Sequence, residues 1–530
     1  MLLALFLSVL MSSTEPPPYT FNLDQSISCP RDLNDEWYTG KPLVPVAVNA
    51  SAVLAAVVAA VPQMLDANLK ALGAPSAMVR ASHNGKLLFE SYRGTTRLNQ
   101  SVPPTADSGF MIASNSKVFT SVMMYQLRDR GMLPQGLDTT VASLMPGWVE
   151  PPPPIGSRRG LTLRALATHA SGLPRETPAG SSEAEILKRI GISRMLFPQF
   201  ASTAYSNLGV SLLGRTLEKA TGGVSWEEWV RLEIMKPLRM DRSGPCVQSA
   251  VEAAAIVDGV DEHGRLVPRR VHNGSHCPWG APAGDVFSTP ADMARWTAFL
   301  SGALAAPAVL DPASVLELRN TAALQPDGIS AVSGGTLEAA FSHGRWMFNK
   351  LGCLDGYRSA ISLVPSLGLA LFAAAASTCD FFGDGDAVGF PIISQLIPAL
   401  EGVLAARFAE KTLAPPGARD YVGLYCAGRA SNYTVALEAG GLVIPSTTDY
   451  PWVLLPLETD DSFRLLMREP NPSIPGCSSP QWPGAQLCHT SCFREMSRGD
   501  GQLLSFSRNA SGHITSLTLP GAGVVCDKAS

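Results

Sequence analysis

The chain has 530 residues, a length typical of two or more domains, and its 46% hydrophobic and 16% charged residues are sufficient for large cores. The 41 Lys and Arg residues nearly balance the 45 Asp and Glu residues, so the formal net charge is −4. Together with the absence of basic runs interleaved with aromatic residues, this balance excludes a nucleic-acid-binding class.

The N-terminal segment, residues 1–11, is apolar except for Ser8 and is too short to span a bilayer. A polar, Pro-rich stretch follows at residues 12–19. This pattern predicts a signal peptide over residues 1–13 and a secreted protein that does not span a membrane. Because no Lys or Arg precedes the apolar stretch, a clipped signal-anchor and a mis-assigned start remain alternatives.

Five N-x-S/T sequons favour secretion and predict a glycoprotein, with coincidence as the alternative. They lie at Asn49, Asn99, Asn273, Asn432 and Asn509.

The first predicted elements are an apolar-rich helix over residues 53–72 and a hairpin around Asn84-Gly85, a dipeptide typical of tight turns. A short apolar run at residues 110–113 then leads into a helix predicted over residues 119–129. Ser114 and Lys117 lie between them, one helical turn apart. A serine hydroxyl needs a base, and an uncharged lysine on the same helix face can be that base.

Two further motifs follow. Tyr205-Ser206-Asn207 lies in a loop before a buried helix, and a buried tyrosine with a capping asparagine is the alternative interpretation. Lys350-Leu351-Gly352 supplies a second cation, which would lower the pKa of Lys117. A second hairpin (residues 359–364 and 369–375) and a closing helix (391–408) complete an α/β (α+β) plan, in which an antiparallel sheet is edged by terminal helices and a helical lobe holds Tyr205.

The Pro415-Pro416-Gly417 breaker indicates a domain boundary, with a catalytic domain over residues 14–410 and a C-terminal β domain over residues 420–530. Short strands separated by turn residues predict a small barrel or sandwich there. They are expected at residues 433–437, 442–445, 452–457, 462–467, 503–507 and 514–519.

Ten cysteines suit the disulfides of a secreted protein, and five lie on each side of the boundary. Each side then has an odd cysteine, so either one bridge joins the two sides or two thiols stay free, with Cys353 the candidate for a free one. Zinc is the alternative for Cys488-His489 with Cys492. No second pair at zinc-finger spacing accompanies them, so neither a metal nor another cofactor is expected.

The order S-x-x-K, Y-x-N, K-x-G resembles the serine beta-lactamase and penicillin-binding-protein superfamily, in its class C and DD-peptidase-like branch. Residues 166–174 and 282–293 resemble that branch's LLTHTSGLP and PAGGLYSTAEDL segments, and the similarity extends from about residue 50 to residue 400. Residues 420–425 are similar to the opening of the lipocalin-like C-terminal domains found in some secreted, notably fungal, beta-lactamase-like proteins.

The resemblance implies that Ser114 is acylated and that Lys117 and Tyr205 share the proton transfers. It further implies that Asn207 contacts the acyl-side amide of the substrate and that Lys350 keeps Tyr205 polarised. The oxyanion hole would be formed by the backbone N–H groups of Ser114 and of Cys353, which directly follows Gly352.

The chain departs from the family pattern at Leu351, because the middle of the K-T-G motif usually has a hydroxyl that holds the substrate carboxylate. Beta-lactams are therefore not the expected substrates, unless another residue such as Arg358 holds the carboxylate. We expect a secreted serine hydrolase acting on small-molecule or peptide esters or amides. An acyltransferase of a small-molecule pathway and a non-catalytic binding protein on the same fold are the alternatives.

Overall fold

The computed structural model describes residues 45–152, 160–180, 182–269, 271–272, 276–327, 330–343, 345–378, 388–411, 415, 417–426, 432–438, 441–445, 452–456, 461–467, 503–519 and 524–529. The described chain forms two compact units, which lie in Leu43–Arg407 and Phe408–Ser530. The predicted signal peptide lies outside the described residues, and the predicted domain limits at residues 410 and 420 remain predictions.

The larger unit contains an eight-stranded antiparallel sheet and a separate two-stranded ribbon. Its strands are β1 (Ser76–His83), β2 (Lys86–Gly94), β3 (Phe110–Met111), β4 (Phe287–Ser288), β5 (Thr321–Leu324), β6 (Ser330–Ser333), β7 (Glu338–Ser342), β8 (Arg345–Leu354), β9 (Tyr357–Val364) and β10 (Leu369–Ala375). The large sheet has the order β2-β1-β10-β9-β8-β7-β6-β5, and β3 pairs with β4. The N-terminal hairpin therefore joins the sheet through β1 and β10, which are far apart in sequence.

Helices cover this sheet and form a separate helical region. They are α1 (Ala52–Leu72), α2 (Ser116–Asp129), α3 (Val141–Leu144), α4 (Leu163–Ala167), α5 (Glu183–Gly191), α6 (Asn207–Ala220), α7 (Trp226–Trp229), α8 (Ala250–Ala255), α9 (Ala281–Gly284), α10 (Pro290–Leu300), α11 (Pro312–Arg319) and α12 (Phe390–Lys411). A π-helix, Val230–Met235, follows α7, and 3₁₀ turns occur at Val48–Ala50, Ala113–Asn115, Gly136–Asp138, Pro365–Leu367 and Ala418–Tyr421.

Both predicted hairpins are confirmed, and their turns have the expected chemistry. Asn84 and Gly85 have φ angles of 47° and 70°, which is the left-handed pair that a two-residue hairpin turn requires. The turn between β9 and β10 ends at Gly368, which is also left-handed with φ 59°. Because each turn fixes the register of its hairpin, local sequence specifies both hairpins.

Helix α2 lies at the centre of the hydrophobic core. Every residue from Ser116 to Leu127 is buried, so the helix is enclosed on all sides and not only along one apolar stripe. It packs against α6, α9 and the π-helix, and α6 packs in turn against α4. This enclosure places the first turn of α2 in a fixed position between the sheet and the helical region.

The smaller unit is an eight-stranded antiparallel sheet whose two ends meet. Its strands are β11 (Gly423–Tyr425), β12 (Tyr433–Glu438), β13 (Gly441–Ile444), β14 (Trp452–Pro456), β15 (Ser462–Met467), β16 (Leu503–Arg508), β17 (Ile514–Leu519) and β18 (Val524–Asp527), paired in chain order. Tyr425 bridges Lys528, and the Cys426–Cys526 disulfide joins the same two ends, so the strands close into a barrel. Six strands agree with the predictions, whereas β11 and β18 were missed.

Helix α1 is long and apolar enough to cross a membrane by length and composition, with a mean hydropathy of 1.6. It packs instead against β1 and β2, with Leu54, Val61 and Leu65 buried. No other described helix meets the same criteria. The α/β (α+β) fold class with a C-terminal all-β barrel is confirmed.

Candidate active site

Ser114 lies on the 3₁₀ turn that leads into α2, immediately after β3. The preceding residue, Ala113, has φ 48°, a left-handed conformation that is unusual for alanine. Two contacts with the chain at Val286 fix the turn: the N–H of Ile112 donates to the Val286 carbonyl (2.9 Å), and the N–H of Val286 donates to Ser116 Oγ (3.0 Å). The half-buried Ser114 side chain is thus presented by a rigid turn.

Lys117 is fully buried on the first turn of α2. Its Nζ lies 3.1 Å from Ser114 Oγ, 2.7 Å from Asn207 Oδ1 and 2.6 Å from the Ala283 carbonyl oxygen. Burial, followed by the positive charge of Lys350, lowers the pKa of Lys117. The predicted effect of Lys350 is present, but desolvation is the larger cause.

Tyr205 reaches the same serine from the helical region. Its hydroxyl lies 2.6 Å from Ser114 Oγ, so Ser114 has a possible proton acceptor on each side. Its ring centroid is 4.9 Å from Lys117 Nζ and 5.0 Å from Lys350 Nζ. Burial raises the pKa of Tyr205, but the charges of Lys117 and Lys350 outweigh that effect and lower it overall.

Asn207 links the two lobes of the site. Its Oδ1 accepts from Lys117, and its Nδ2 donates to the Glu176 carboxylate at 3.0 and 3.2 Å. The alternative in which Asn207 caps a helix is wrong, because the N-cap of α6 is Ser206, whose Oγ accepts from the Gly209 N–H.

Lys350 extends from β8, and its Nζ lies 2.5 Å from Glu338 Oε1 on β7. Burial opposes its charge, but Glu338 and Tyr205 together raise the pKa of Lys350. The raised pKa favours the charged form of Lys350, whereas the lowered pKa of Lys117 disfavours its charge.

Gly352 lies where β8 passes the Ser114 turn. A Cβ at this position would stand 2.3 Å from the Ile112 carbonyl oxygen and 2.5 Å from Ser359 Oγ, so only glycine fits. Ser359 Oγ donates to the Ile112 carbonyl (2.7 Å) and accepts from Asn115 Nδ2 (2.8 Å). These two bonds hold β9 against the turn, and Gly352 of β8, which pairs with Ser359, lies close beside it.

A cavity of about 550 Å³ adjoins this strand end. Its lining includes Met111 on the serine side, Leu354 and Tyr357 on the β8–β9 hairpin, and Val267 from the facing loop. This volume is within the range of small-molecule sites.

Leu351 is half-buried and pairs with Ala360, and Arg358 is buried and donates to the Thr378 carbonyl.

The expectation that Cys353 has a free thiol is wrong, because Cys353 is disulfide-bonded. The two bridges within the described residues, Cys246–Cys277 and Cys426–Cys526, each lie on one side of the predicted boundary. Cys488, His489 and Cys492 lie outside the described residues. Among the described residues, no group of three or more His, Cys, Asp or Glu side chains is arranged to hold a metal.

Five predicted residues lie together around the serine, namely Ser114, Lys117, Tyr205, Asn207 and Lys350, and Gly352 lies against the Ser114 turn. The role of the Cys353 N–H remains a prediction, and several partners of these residues were not predicted. Asn115 lies between Ser114 and Lys117, and Glu176 closely follows residues 166–174, so their positions beside these motifs could have identified them. No local sequence pattern pointed to Glu338 as a site residue, because its approach to Lys350 depends on the register of β7 against β8.

Comparison with known proteins agrees with this geometry. Residues 61–384, more than half of the chain, match the family model described as Beta-lactamase. Beta-lactamase-like protein 2 of Dictyostelium discoideum is 30% identical over 335 residues, which is 59% of this chain and 58% of that protein. Putative beta-lactamase-like 1 of Homo sapiens is 28% identical over 394 residues, or 72% of this chain and 76% of that protein.

The D-alanyl-D-alanine-carboxypeptidase/endopeptidase AmpH of Escherichia coli K12 is 30% identical over 221 residues, covering 39% of this chain and 53% of that protein. The chain thus spans less than two thirds of the length of several curated relatives, including 58% and 63% of two from Dictyostelium.

Among solved structures, a class C beta lactamase from Rhodobacter sphaeroides gives a TM-score of 0.54 at 20% identity, covering 64% of this chain and 99% of that one. A beta-lactamase/D-alanine carboxypeptidase from Yersinia pestis, solved with citrate, gives 0.52 at 22% identity, with coverages of 65% and 99%. At these identities the likeness establishes the fold alone. The chain therefore has the fold of the beta-lactamase-like serine hydrolases. The family match over more than half of its length shows that it belongs to the Beta-lactamase family.

Proposed function

We propose that the protein is a serine hydrolase that forms an acyl-enzyme on Ser114 and acts on ester or amide substrates. The observation that supports this most directly is the position of Ser114 Oγ, 3.1 Å from Lys117 Nζ and 2.6 Å from the Tyr205 hydroxyl. These distances are within the range for direct proton transfer.

In the proposed first step, Ser114 Oγ attacks the substrate carbonyl while its proton passes to the neutral Lys117–Tyr205 pair. The backbone N–H groups of Ser114 and Cys353 donate to the oxyanion. When the tetrahedral intermediate collapses, the bond to the leaving group breaks, and Tyr205 gives its phenolic proton to that group and recovers a proton from Lys117. Water then attacks the acyl-enzyme by the same path in reverse and releases the acid.

Asn207 and Lys350 have supporting roles in this mechanism. Asn207 holds Lys117 through Oδ1, and its Nδ2, which donates to Glu176, is the group that would meet the acyl-side amide. Lys350 remains charged beside Tyr205 and favours its phenolate form. The intact proton-transfer set argues against a non-catalytic binding protein, because binding alone does not require a nucleophile.

We further propose neutral substrates and a secreted, glycosylated protein. The neutral substrates are inferred from Leu351, which offers no hydroxyl to a substrate carboxylate. The disulfides Cys246–Cys277 and Cys426–Cys526 are typical of an oxidising compartment. The four sequon asparagines among the described residues, Asn49, Asn99, Asn432 and Asn509, are exposed.

Hydrolysis of a neutral nitrophenyl ester by the purified protein tests this proposal, with Ser114→Ala as the variant. We expect Ser114→Ala to reduce turnover to background, because a methyl group cannot attack a carbonyl. The control Ser507→Ala, which removes an exposed serine hydroxyl on β16 outside any sequon, should leave turnover unchanged. Wild-type turnover in Ser114→Ala would refute the assignment.

Adding an alcohol acceptor distinguishes transfer from hydrolysis, because only transfer yields a new ester.

A further inference from the structure

The segment from His169 to Arg175, which has no role in the chemistry above, runs beside the loop that holds Tyr205. The Ala204 N–H donates to the His169 carbonyl (2.9 Å) at one end, and the Asn207 N–H donates to the Arg175 carbonyl (2.7 Å) at the other. The loop is thus fastened on both sides of Tyr205 to a single neighbouring segment.

His169 contacts the residue before Tyr205, the residue after it and the Tyr205 ring itself. Its carbonyl accepts from the residue before Tyr205, and its side-chain Nδ1 accepts from the N–H of Ser206, the residue after, at 3.2 Å. Its ring centroid lies 4.7 Å from the Tyr205 ring, with a 39° angle between the planes. His169 therefore contributes both backbone and side-chain contacts to the position of the phenol.

The geometry also fixes the chemical form of His169. Because Nδ1 accepts a hydrogen bond, the proton of the neutral ring is on Nε2, which is buried and has no hydrogen-bond partner among the described residues. Burial, followed by the charges of Lys350, Lys117 and Arg175, lowers the pKa of His169 well below its ordinary value. The ring therefore remains a neutral acceptor throughout the neutral pH range.

The backbone of His169 is left-handed, with φ 56°. Asparagine and histidine occupy this conformation several times more often than most residues, whereas alanine and leucine rarely do. The Oδ1 atom of an asparagine would stand close to the place of the histidine Nδ1. Asparagine is therefore the substitution that preserves both the backbone conformation and the acceptor.

We propose that His169 is the positioning residue for Tyr205, holding the phenol against Ser114 so that it can take part in acyl transfer. The inference rests on the proposed roles of Ser114 and Tyr205. Three basic side chains, Lys117, Lys350 and Arg175, face the Tyr205 ring and set its electrostatic field, and the neutral His169 supplies the geometry.

The kinetic test compares His169→Ala, His169→Asn and a matched control, His83→Ala. His83 is also buried, and its Nδ1 also accepts a backbone N–H bond, from Val46 at 2.9 Å, but it lies on β1. We expect His169→Ala to lower kcat about 100-fold through misplacement of the phenol, with KM changed less than about twofold. His169→Asn should recover most of that loss, and His83→Ala should keep the wild-type kcat. An equal kcat loss in His169→Ala and His83→Ala, or no recovery with asparagine, would overturn the inference.

A second readout does not depend on turnover. Ultraviolet difference titration, with Tyr205→Phe as the reference, follows ionisation of the Tyr205 phenol. His169→Ala should raise the pKa of Tyr205, because the phenol moves away from Lys117, and His169→Asn should not. If His169→Ala fails to fold, His169→Gln replaces it, since the glutamine amide lies one methylene too far out to accept from Ser206.

The two readouts separate the two proposals. If the wild type does not turn over substrate but the pKa of Tyr205 still shifts in His169→Ala, the proposed function is refuted and the positioning role is retained. If the wild type turns over substrate through Ser114, and His169→Ala has the wild-type kcat and an unshifted pKa of Tyr205, only the positioning role is refuted.

Discussion

At the scale of single residues, two lysines in one site have opposite electrostatic behaviour. Lys117 is buried beside the nucleophile, none of its hydrogen-bond partners among the described residues is a carboxylate, and its pKa is lowered. Lys350 is equally buried but lies 2.5 Å from Glu338, and its pKa is raised. Such a pair allows one lysine to be the base and the other to be the fixed cation.

This difference predicts an acid limb in the pH profile of kcat/KM. The neutral Lys117 required for catalysis exists only above its lowered pKa, so activity should rise as the pH rises through that value. Lys350→Gln removes one cause of the lowering and should move the acid limb to higher pH. Lys70→Gln, an exposed substitution on α1, is the control. An acid limb that is unmoved or displaced to lower pH in Lys350→Gln would contradict the electrostatic account.

A second prediction at this scale concerns Leu351 and specificity. Leu351→Thr should raise kcat/KM for a carboxylate-bearing ester by about tenfold to a hundredfold, since one hydrogen bond to a charged group contributes roughly 1.5–3 kcal/mol. A matched neutral ester should be unaffected. Leu87→Thr, at an exposed position on β2, controls for a general effect of the substitution. Efficient carboxylate turnover by the wild type would contradict the role given to Leu351.

At the scale of elements, the site depends on how closely β8 approaches the turn before α2. Local patterns predicted both hairpins, α2 and α12 to within a few residues, because turn residues and apolar periodicity determine them. They did not predict the pairing of Glu338 with Lys350. That contact follows from the register of two strands, which no local pattern encodes.

The approach of β8 predicts a steric penalty at Gly352. Gly352→Ala places a Cβ 2.3 Å from the Ile112 carbonyl oxygen and should push the strand away from Ser114. We expect kcat to fall about 100-fold, because a displacement of about 1 Å has that effect, and Tm to fall as well. Gly402→Ala, in α12, is the matched control: its Cβ meets nothing within 4 Å, so activity should hold and stability should rise by up to ~1 kcal/mol. Wild-type kcat in Gly352→Ala would contradict the account.

At the scale of the whole molecule, one unit with the beta-lactamase fold and one barrel occur in a single chain. The sequence predicted a C-terminal β domain but missed β11 and β18, the two strands that close the barrel. Both are short, and their pairing brings together residues about 100 positions apart, as the Cys426–Cys526 separation shows. Cysteine counting similarly left the pairing open, because spacing alone does not specify which thiols meet.

The central claim is that Ser114 is the residue acylated in this molecule. Mass spectrometry of the intact protein after brief exposure to a fluorophosphonate, followed by peptide mapping, tests it most directly. The account predicts one adduct per chain, located on Ser114, and no adduct in Ser114→Ala. An adduct on another residue, or labelling of Ser114→Ala at the wild-type rate, would contradict it.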